Sequence, residues 1–160
     1  MRSENTLVDY SKPDHYFVRD SSDTHLFVIG SVSKQGDLVL NLRTKGPDGQ
    51  RNKKLSGKDQ FKKILNHFGG QFSAIKGVWV ASTEFLGSNF DGINPVHAGD
   101  NLSAFNHALR EGYDVGQAAF MTWTGRQAAL NGYSELDSNS IQLHGNYGNY
   151  YSVIVRFVQP

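Results

Sequence analysis

The chain has 160 residues, of which 38% are hydrophobic and 19% charged, and its net charge is +1. These values are typical of a single globular domain and exclude a fibrous or strongly disordered protein. The sequence contains no cysteine, which excludes disulfides, thiolate nucleophiles and thiolate metal sites. The longest apolar runs are too short to cross a bilayer. Residues 2–5 are polar, and we identify no apolar core of a signal peptide after them. We therefore expect a cytosolic site of action and no membrane contact.

Basic residues are concentrated in one stretch of the chain. Eight of the 16 lie within it: Arg43, Lys45, Arg51, Lys53, Lys54, Lys58, Lys62 and Lys63. A local patch of this kind can attract a phosphate-bearing partner although the total charge is near zero. The alternative interpretation is a solvated loop and helix face.

The first half of the chain reads as strands followed by one helix. Residues 1–13 lack periodicity and are expected to form a flexible lead-in to a single domain over 14–160. Period-two alternation and turn residues predict strands at 15–19, 25–33 and 37–44. Ser56 is a candidate N-cap with Asp59 in the capping-box position, and Gly69 supplies the stop of the predicted helix. A strand is predicted at 74–81.

The second half reads as a long loop, two helices and two strands. Residues 82–98 are rich in Gly, Asn and Ser and are predicted to form an irregular loop, a kind of segment that often carries function. One helix is predicted from Asp100 to Arg110, and a second from an Asp114 cap to about Leu130. Strands at 140–144 and 150–158 complete an α+β fold with a largely antiparallel sheet and about three helices.

Polar residues on apolar helix faces are the first candidates for a site. Asn106 falls on the buried side of its predicted helix, where its amide requires several hydrogen-bond partners. Thr122 and Thr124 flank Trp123 in a helix of small residues, and Thr122 could bond back to its own helix. Two interpretations stay open for these groups, a ligand cleft beside the loop or a satisfied polar core. No phosphate loop, dinucleotide fingerprint, zinc-protease or nucleophile-elbow motif occurs, and the six histidines show no metal-ligand spacing.

Several short motifs occur together in an order that has no general helical explanation. They are Ile75-x-Gly77-x-Trp79, Gly99-Asp100-Asn101-Leu102-x-x-Phe105-Asn106, Ala118, Thr122-Trp123-Thr124-Gly125-Arg126 and Gly148-x-Tyr150. Over about residues 38–157 this pattern resembles a family of C-terminal domains of Rhs-type bacterial polymorphic toxins. The resemblance implies a secreted effector that is delivered into the cytoplasm of a target bacterium and neutralised by a cognate immunity protein.

The resemblance further implies an ADP-ribosyltransferase-like fold and activity. Such an enzyme, here expected to act as a monomer, uses NAD as a substrate, needs no metal, and modifies a translation factor or structured RNA of the target cell. It implies a catalytic set of Arg43, Asp100 and Thr124. The NAD-binding set that it implies comprises Arg43, Trp79, Ser82, Asn101, Asn106, Thr122 and Tyr150. Arg43 would hold the phosphates through its planar fork, and Trp79 or Tyr150 would stack on a ring of NAD.

The carboxylates depart from the usual transferase pattern. The sequence has four glutamates and no Glu-x-Glu, so Asp100 is assigned to stabilise positive charge on the ribose, with Glu135 as the alternative. A metal-independent ribonuclease toxin is a second hypothesis, for which His97, His144, Lys76 and Thr124 supply acid–base and phosphate-binding groups. An NAD glycohydrolase and a non-catalytic binding domain are further alternatives.

Overall fold

The structure is a computed structural model that describes residues 7–21, 26–43, 56–69, 71–80 and 100–160, with the backbone alone at 41–43 and 100. It has the predicted α+β class, and its strands are mostly antiparallel. The chain divides into two compact units, Met1–Ser73 and Ala74–Pro160, a division that no linker in the sequence marks.

The first unit is built on four sequential antiparallel strands. They are β1 (Leu7–Asp9), β2 (His15–Asp20), β3 (Phe27–Val32) and β4 (Asp37–Arg43). The strand β1 lies within the segment 1–13, for which the sequence indicated no strand: Leu7 pairs with Asp20, and the Lys12 carbonyl accepts a hydrogen bond from the His67 ring at 2.6 Å. Three residues are too few to display a period-two pattern, so the strand depends on its partner.

One face of these strands is covered by the helix α1 (Gly57–Phe68). Phe61, Ile64 and Phe68 form its buried stripe, and a Cβ at Gly30 of β3 would lie 3.1 Å from an Ile64 methyl group, so the helix sits close on the sheet. Ser56 caps the helix by accepting from the Asp59 backbone, as predicted. Gly69 ends it with φ 58°, a backbone angle that favours glycine.

The second unit is organised around one long strand. This is β8 (Asn149–Val158), which pairs on one side with β5 (Ala74–Val80) and on the other with β6 (Glu135–Leu136) and β7 (Gln142–Asn146), all antiparallel. The strand β6 has two residues and no sequence signal, and it exists by pairing with the end of β8. Val153, Val155 and Phe157 of β8 point into the core.

Three helices pack on that core face: α2 (Asp100–Arg110), α3 (Val115–Phe120) and α4 (Trp123–Leu130). The Asp114–Gln117 capping box is confirmed. The prediction of one helix from Asp114 to Leu130 is wrong, because the chain leaves the helical path and Thr122 adopts an extended conformation as the N-cap of α4. The structure therefore describes four helices where about three were expected.

Candidate functional site

Asn106 joins α2 to the sheet of the second unit. Its side chain is 1% exposed, its Nδ2 donates to the Tyr150 carbonyl at 3.0 Å, and its Oδ1 accepts from the Tyr150 N–H at 2.9 Å. One amide thus satisfies both backbone groups of a single strand residue. The partners that a buried amide requires are provided by β8, which favours the polar-core interpretation of Asn106.

Asn101 makes the equivalent connection between two helices. Its Oδ1 accepts from the Thr124 N–H at 3.0 Å, and its Nδ2 donates to Thr124 Oγ1 at 2.9 Å. The first turn of α2 is thereby fixed to the first turn of α4. Thr124 is buried and retains its own hydroxyl proton for a further acceptor. The backbone at Asp100 adjoins this connection and therefore has a defined position.

Thr122 forms the elbow between α3 and α4. Its Oγ1 accepts from the Gly125 N–H at 2.9 Å and donates to the Ala119 carbonyl at 2.7 Å, and the residue is 0% exposed. The expected bond back to the preceding helix is present, and the same oxygen also caps the N-terminus of α4. A Cβ at Gly125 would collide with the Ala119 carbonyl and the Phe120 backbone, so this position accepts only glycine.

Trp79 lies inside the second unit with 7% of its surface exposed. Its ring centroid is 6.0 Å from that of Phe105 and 6.4 Å from that of Phe157, and its indole covers Gly77, where a Cβ would come within 2.8 Å of the ring. The Gly77-x-Trp79 spacing is therefore a packing motif. In this structure Trp79 is a core residue, whereas the half-buried Tyr150 ring, 6.4 Å from Phe105, is partly accessible.

Two further contacts hold α2 on the β7–β8 turn, and neither residue was identified from the sequence. Arg110 Nη1 donates to the Gly148 carbonyl, and Tyr147 Oη donates to the Leu109 carbonyl at 3.2 Å. Arg110 lies one helical turn after Asn106 and so extends the same face toward the same hairpin. That spacing is the one signal by which it could have been found.

The remaining predicted site residues divide into two groups. Ser82, His97 and the side chains of Arg43 and Asp100 lie outside the described part of the structure. Glu135 is exposed at the start of β6, in register with Val158 at the end of β8.

The described members of the ribonuclease set do not come together. In register, Lys76 pairs with Arg156 and His144 with Ser152, on the sheet face opposite Val153 and Val155. Thr124 lies on the helical side, bonded to Asn101. A cluster of acid, base and phosphate-binding groups is not formed by these three side chains.

The described ranges contain little ligand-binding chemistry beyond this network. No group of three or more His, Asp or Glu side chains suited to a metal ion occurs there. None of the four described helices has the length and apolar character to traverse a bilayer. Tyr133 follows α4, and burial raises the pKa of its phenol.

Comparison with known proteins gives no relative. No family model, no curated protein and no solved structure matches the chain. The functional interpretation therefore depends on the motifs and on the geometry of the second unit.

Proposed function

We propose that the chain is an antibacterial effector domain that transfers ADP-ribose from NAD to a macromolecule of the target cell. The motif resemblance supports this proposal, and so does the way in which the motif residues are linked. Asn101, Thr124, Asn106 and Tyr150 come from three separate motifs, and they form two pairs that both extend from α2. In the proposal, an immunity protein neutralises the monomeric domain, and the acceptor is a translation factor or structured RNA.

The observation that carries the proposal is the doubly bonded contact between Asn101 and Thr124. It fixes the backbone next to Asp100, at the N-terminal end of α2. The helix dipole favours a carboxylate at a helix N-terminus, and a fixed negative charge stabilises a cation without reorganisation. Asp100 is therefore the group that we assign to the positive charge on the ribose.

The proposed reaction breaks the bond between nicotinamide and the ribose. The bonding electrons leave with nicotinamide, which becomes neutral, and the ribose carbon develops positive charge opposite the Asp100 carboxylate. An acceptor hydroxyl or amine then forms the new bond and loses a proton to a nearby base or to water. The Thr124 hydroxyl, whose oxygen is positioned by Asn101, has a proton with which to orient one of the reacting groups.

Four members of the implied NAD-binding set take a supporting role in this proposal. The polar groups of Asn101, Asn106 and Thr122 are engaged with the protein, and Trp79 is packed in the core. They position the elements around the site rather than touch NAD. Within the second unit, contact with NAD is then assigned to Ser82 and the partly exposed Tyr150.

The test is the fate of NAD in a bacterial lysate. The purified domain is incubated with NAD labelled in its adenylate half, and free nicotinamide and macromolecule-bound label are both measured. The variant is Asp100→Asn, and the matched control is Glu111→Gln, which removes an exposed carboxylate just after the other end of the same helix. We expect transfer to fall about 100-fold or more in Asp100→Asn and to be unchanged in Glu111→Gln.

The other outcomes identify the alternatives. Nicotinamide release without transfer indicates a glycohydrolase. Intact NAD together with fragmented RNA indicates a ribonuclease and contradicts the transferase proposal. Intact NAD with intact RNA indicates a binding domain without catalytic activity.

A further inference from the structure

The four strands of the first unit have a second face that the proposed function does not use. Because α1 packs against the face that contains Tyr16, Val18 and Gly30, alternate residues of β2 and β3 point the other way. Those residues are half-buried, and we call them, with Tyr10, the aromatic face: Tyr10, His15, Phe17, Arg19, Phe27 and Ile29.

The rings of the aromatic face touch one another across the strands. The Phe17 ring centroid is 5.4 Å from that of Tyr10 and 6.1 Å from that of His15, and Tyr10 is 44% exposed. In register, Phe17 is opposite Ile29, so Phe27 is its diagonal neighbour on β3, at a separation of about 7 Å. Tyr10, His15 and Phe17 thus form a cluster of neighbouring rings, of which Tyr10 is exposed.

Positive charge lies directly beside these rings. Arg19 is in register with Phe27, its guanidinium carbon is 5.3 Å from the Tyr10 ring centroid, and its Nη2 donates to Tyr10 Oη at 3.2 Å. Its Nε is buried and has no hydrogen-bond partner, so the guanidinium is incompletely satisfied by the fold.

Negative charge is absent from the same rows of paired residues. The rows that cross β2 and β3 through His15, Phe17 and Arg19 contain no carboxylate. Asp9 pairs with Val18 and Asp20 is buried, both on the face that α1 covers, and Asp37 is buried at the start of β4. Along these described rows an anionic ligand would meet a cation and rings and no carboxylate.

We propose that the aromatic face binds single-stranded nucleic acid. Tyr10 is exposed and Phe17 and Phe27 are partly exposed. Accessible rings on a sheet stack on bases whatever their sequence, and a neighbouring arginine pairs with the phosphates. Bases in a duplex are already stacked on each other, so a single strand is the form that fits. This surface belongs to the first unit, and the proposal does not depend on NAD chemistry in the second.

Binding is measured by fluorescence anisotropy with the full chain at low salt. The probe is labelled oligodeoxythymidine of about 12 nucleotides, within the range that one such platform occupies. DNA keeps any ribonuclease activity out of the readout, and an oligouridine of the same length and a DNA duplex are the comparison arms. We expect both single strands to bind and the duplex to bind more weakly.

Matched variants separate stacking from charge. Phe17→Leu and Phe27→Leu keep the apolar bulk and remove the ring, and we expect each to weaken binding at least about fivefold, the factor for the weaker base–ring stacks. Tyr113→Leu, which removes an exposed ring of the second unit, is the aromatic control and should bind like the parent chain. Arg19→Gln should reduce the slope of log affinity against log salt by about one.

A second measurement needs no variant. Ultraviolet crosslinking of the thymidine probe, followed by peptide mapping, should place crosslinks at Tyr10, Phe17 or Phe27. Crosslinks confined to the second unit, an absence of binding at low salt, duplex binding as tight as that of single strands, or unchanged affinity in folded Phe17→Leu and Phe27→Leu would each overturn the proposal.

Discussion

Replacing Asn106 by alanine separates a structural amide from a ligand-binding one. The substitution deletes two hydrogen bonds, of 3.0 and 2.9 Å, and leaves the N–H and the C=O of Tyr150 without these partners. A buried polar group that loses its partner costs about 1–3 kcal/mol, and the Tyr150 groups are part-buried, so water recovers some of that loss. We expect the free energy of unfolding to fall by about 2–4 kcal/mol. For a chain of this size that corresponds to a Tm lower by roughly 5–15 °C.

The assay is unfolding by heat and by urea, with two further variants. Asn139→Ala removes an exposed amide from the second unit and should change stability by less than about 0.5 kcal/mol. Asn106→Asp keeps an acceptor for the Tyr150 N–H but sets a second negative oxygen against the Tyr150 carbonyl. Its deficit relative to the parent chain should shrink at acid pH, because the protonated carboxyl can donate to that carbonyl.

NAD turnover of the same Asn106→Ala protein tests whether Asn106 has only a structural role. If the variant unfolds at the same temperature as the parent chain and nevertheless loses NAD turnover, the amide acts on a ligand and the structural account of Asn106 is wrong. If stability and turnover decline together, and turnover recovers when the assay is run well below the Tm of the variant, the structural account holds.

Three further predictions concern stability. Gly125→Ala should cost about 3 kcal/mol or more in urea unfolding because its Cβ meets the backbone of the preceding helix, whereas Gly116→Ala, whose Cβ meets only the Asp114 carboxylate at 3.4 Å, should stay within about 1 kcal/mol of the parent. Thr122→Val should lose about 1–2 kcal/mol by removing the N-cap oxygen, and Thr122→Ser should retain most of the stability. Burial raises the pKa of Tyr16 to about 12, above its unfolded value of about 10. The contribution of Tyr16 to the free energy of unfolding should therefore be fully present below pH 10 and be lost as pH rises from about 10 toward 12. Tyr16→Phe should flatten that alkaline decline in urea titrations, while at pH 7 it is less stable because the buried Gln60 Oε1 loses its 2.6 Å bond.

The elements that were predicted correctly are those whose signals are local. Ser56 and Asp114 cap their helices with their own side chains, and Gly69 ends a helix by a backbone angle that glycine prefers. The alternation in β2 and β3 matches which of their side chains face α1. Each of these signals is contained within a few neighbouring residues, so no tertiary information is needed to interpret it.

The errors arise where distant residues decide the local structure. From the sequence, Thr122 reads as one member of a small-residue stripe in a continuous helix. Its choice of an extended cap conformation depends on Gly125 lying against the Ala119 carbonyl, a contact that forms only when two helices meet. The strands β1 and β6 are too short to show periodicity and depend wholly on their partners.

The sequence indicated which residues belong to the candidate site but not which of them form hydrogen bonds with each other. The position of Asn106 on an apolar face indicated that its amide needs partners, yet those partners belong to Tyr150, 44 residues later. Asn101 and Thr124 were both selected, but nothing in their spacing of 23 residues indicates that they bond to each other. These hydrogen bonds join residues that are far apart in the chain, and a single sequence does not indicate such pairs.

The hydrogen bonds of Asn101, Asn106 and Thr122 separate structural residues of the second unit from those that remain available to a substrate, and activity measurements can test this separation. The strand β5 ends at Val80 beside the packed Trp79, and α2 begins at Asp100 beside the Asn101–Thr124 contact. Chemistry requires groups held rigidly and also groups that remain available to a substrate. In the proposed function, the motif residues Asn101, Asn106 and Thr122 hold the elements in place, and Asp100 is the motif carboxylate assigned to the reaction. Substitutions of the first three should therefore lower stability and activity together, and Asp100→Asn should lower activity while the Tm changes little.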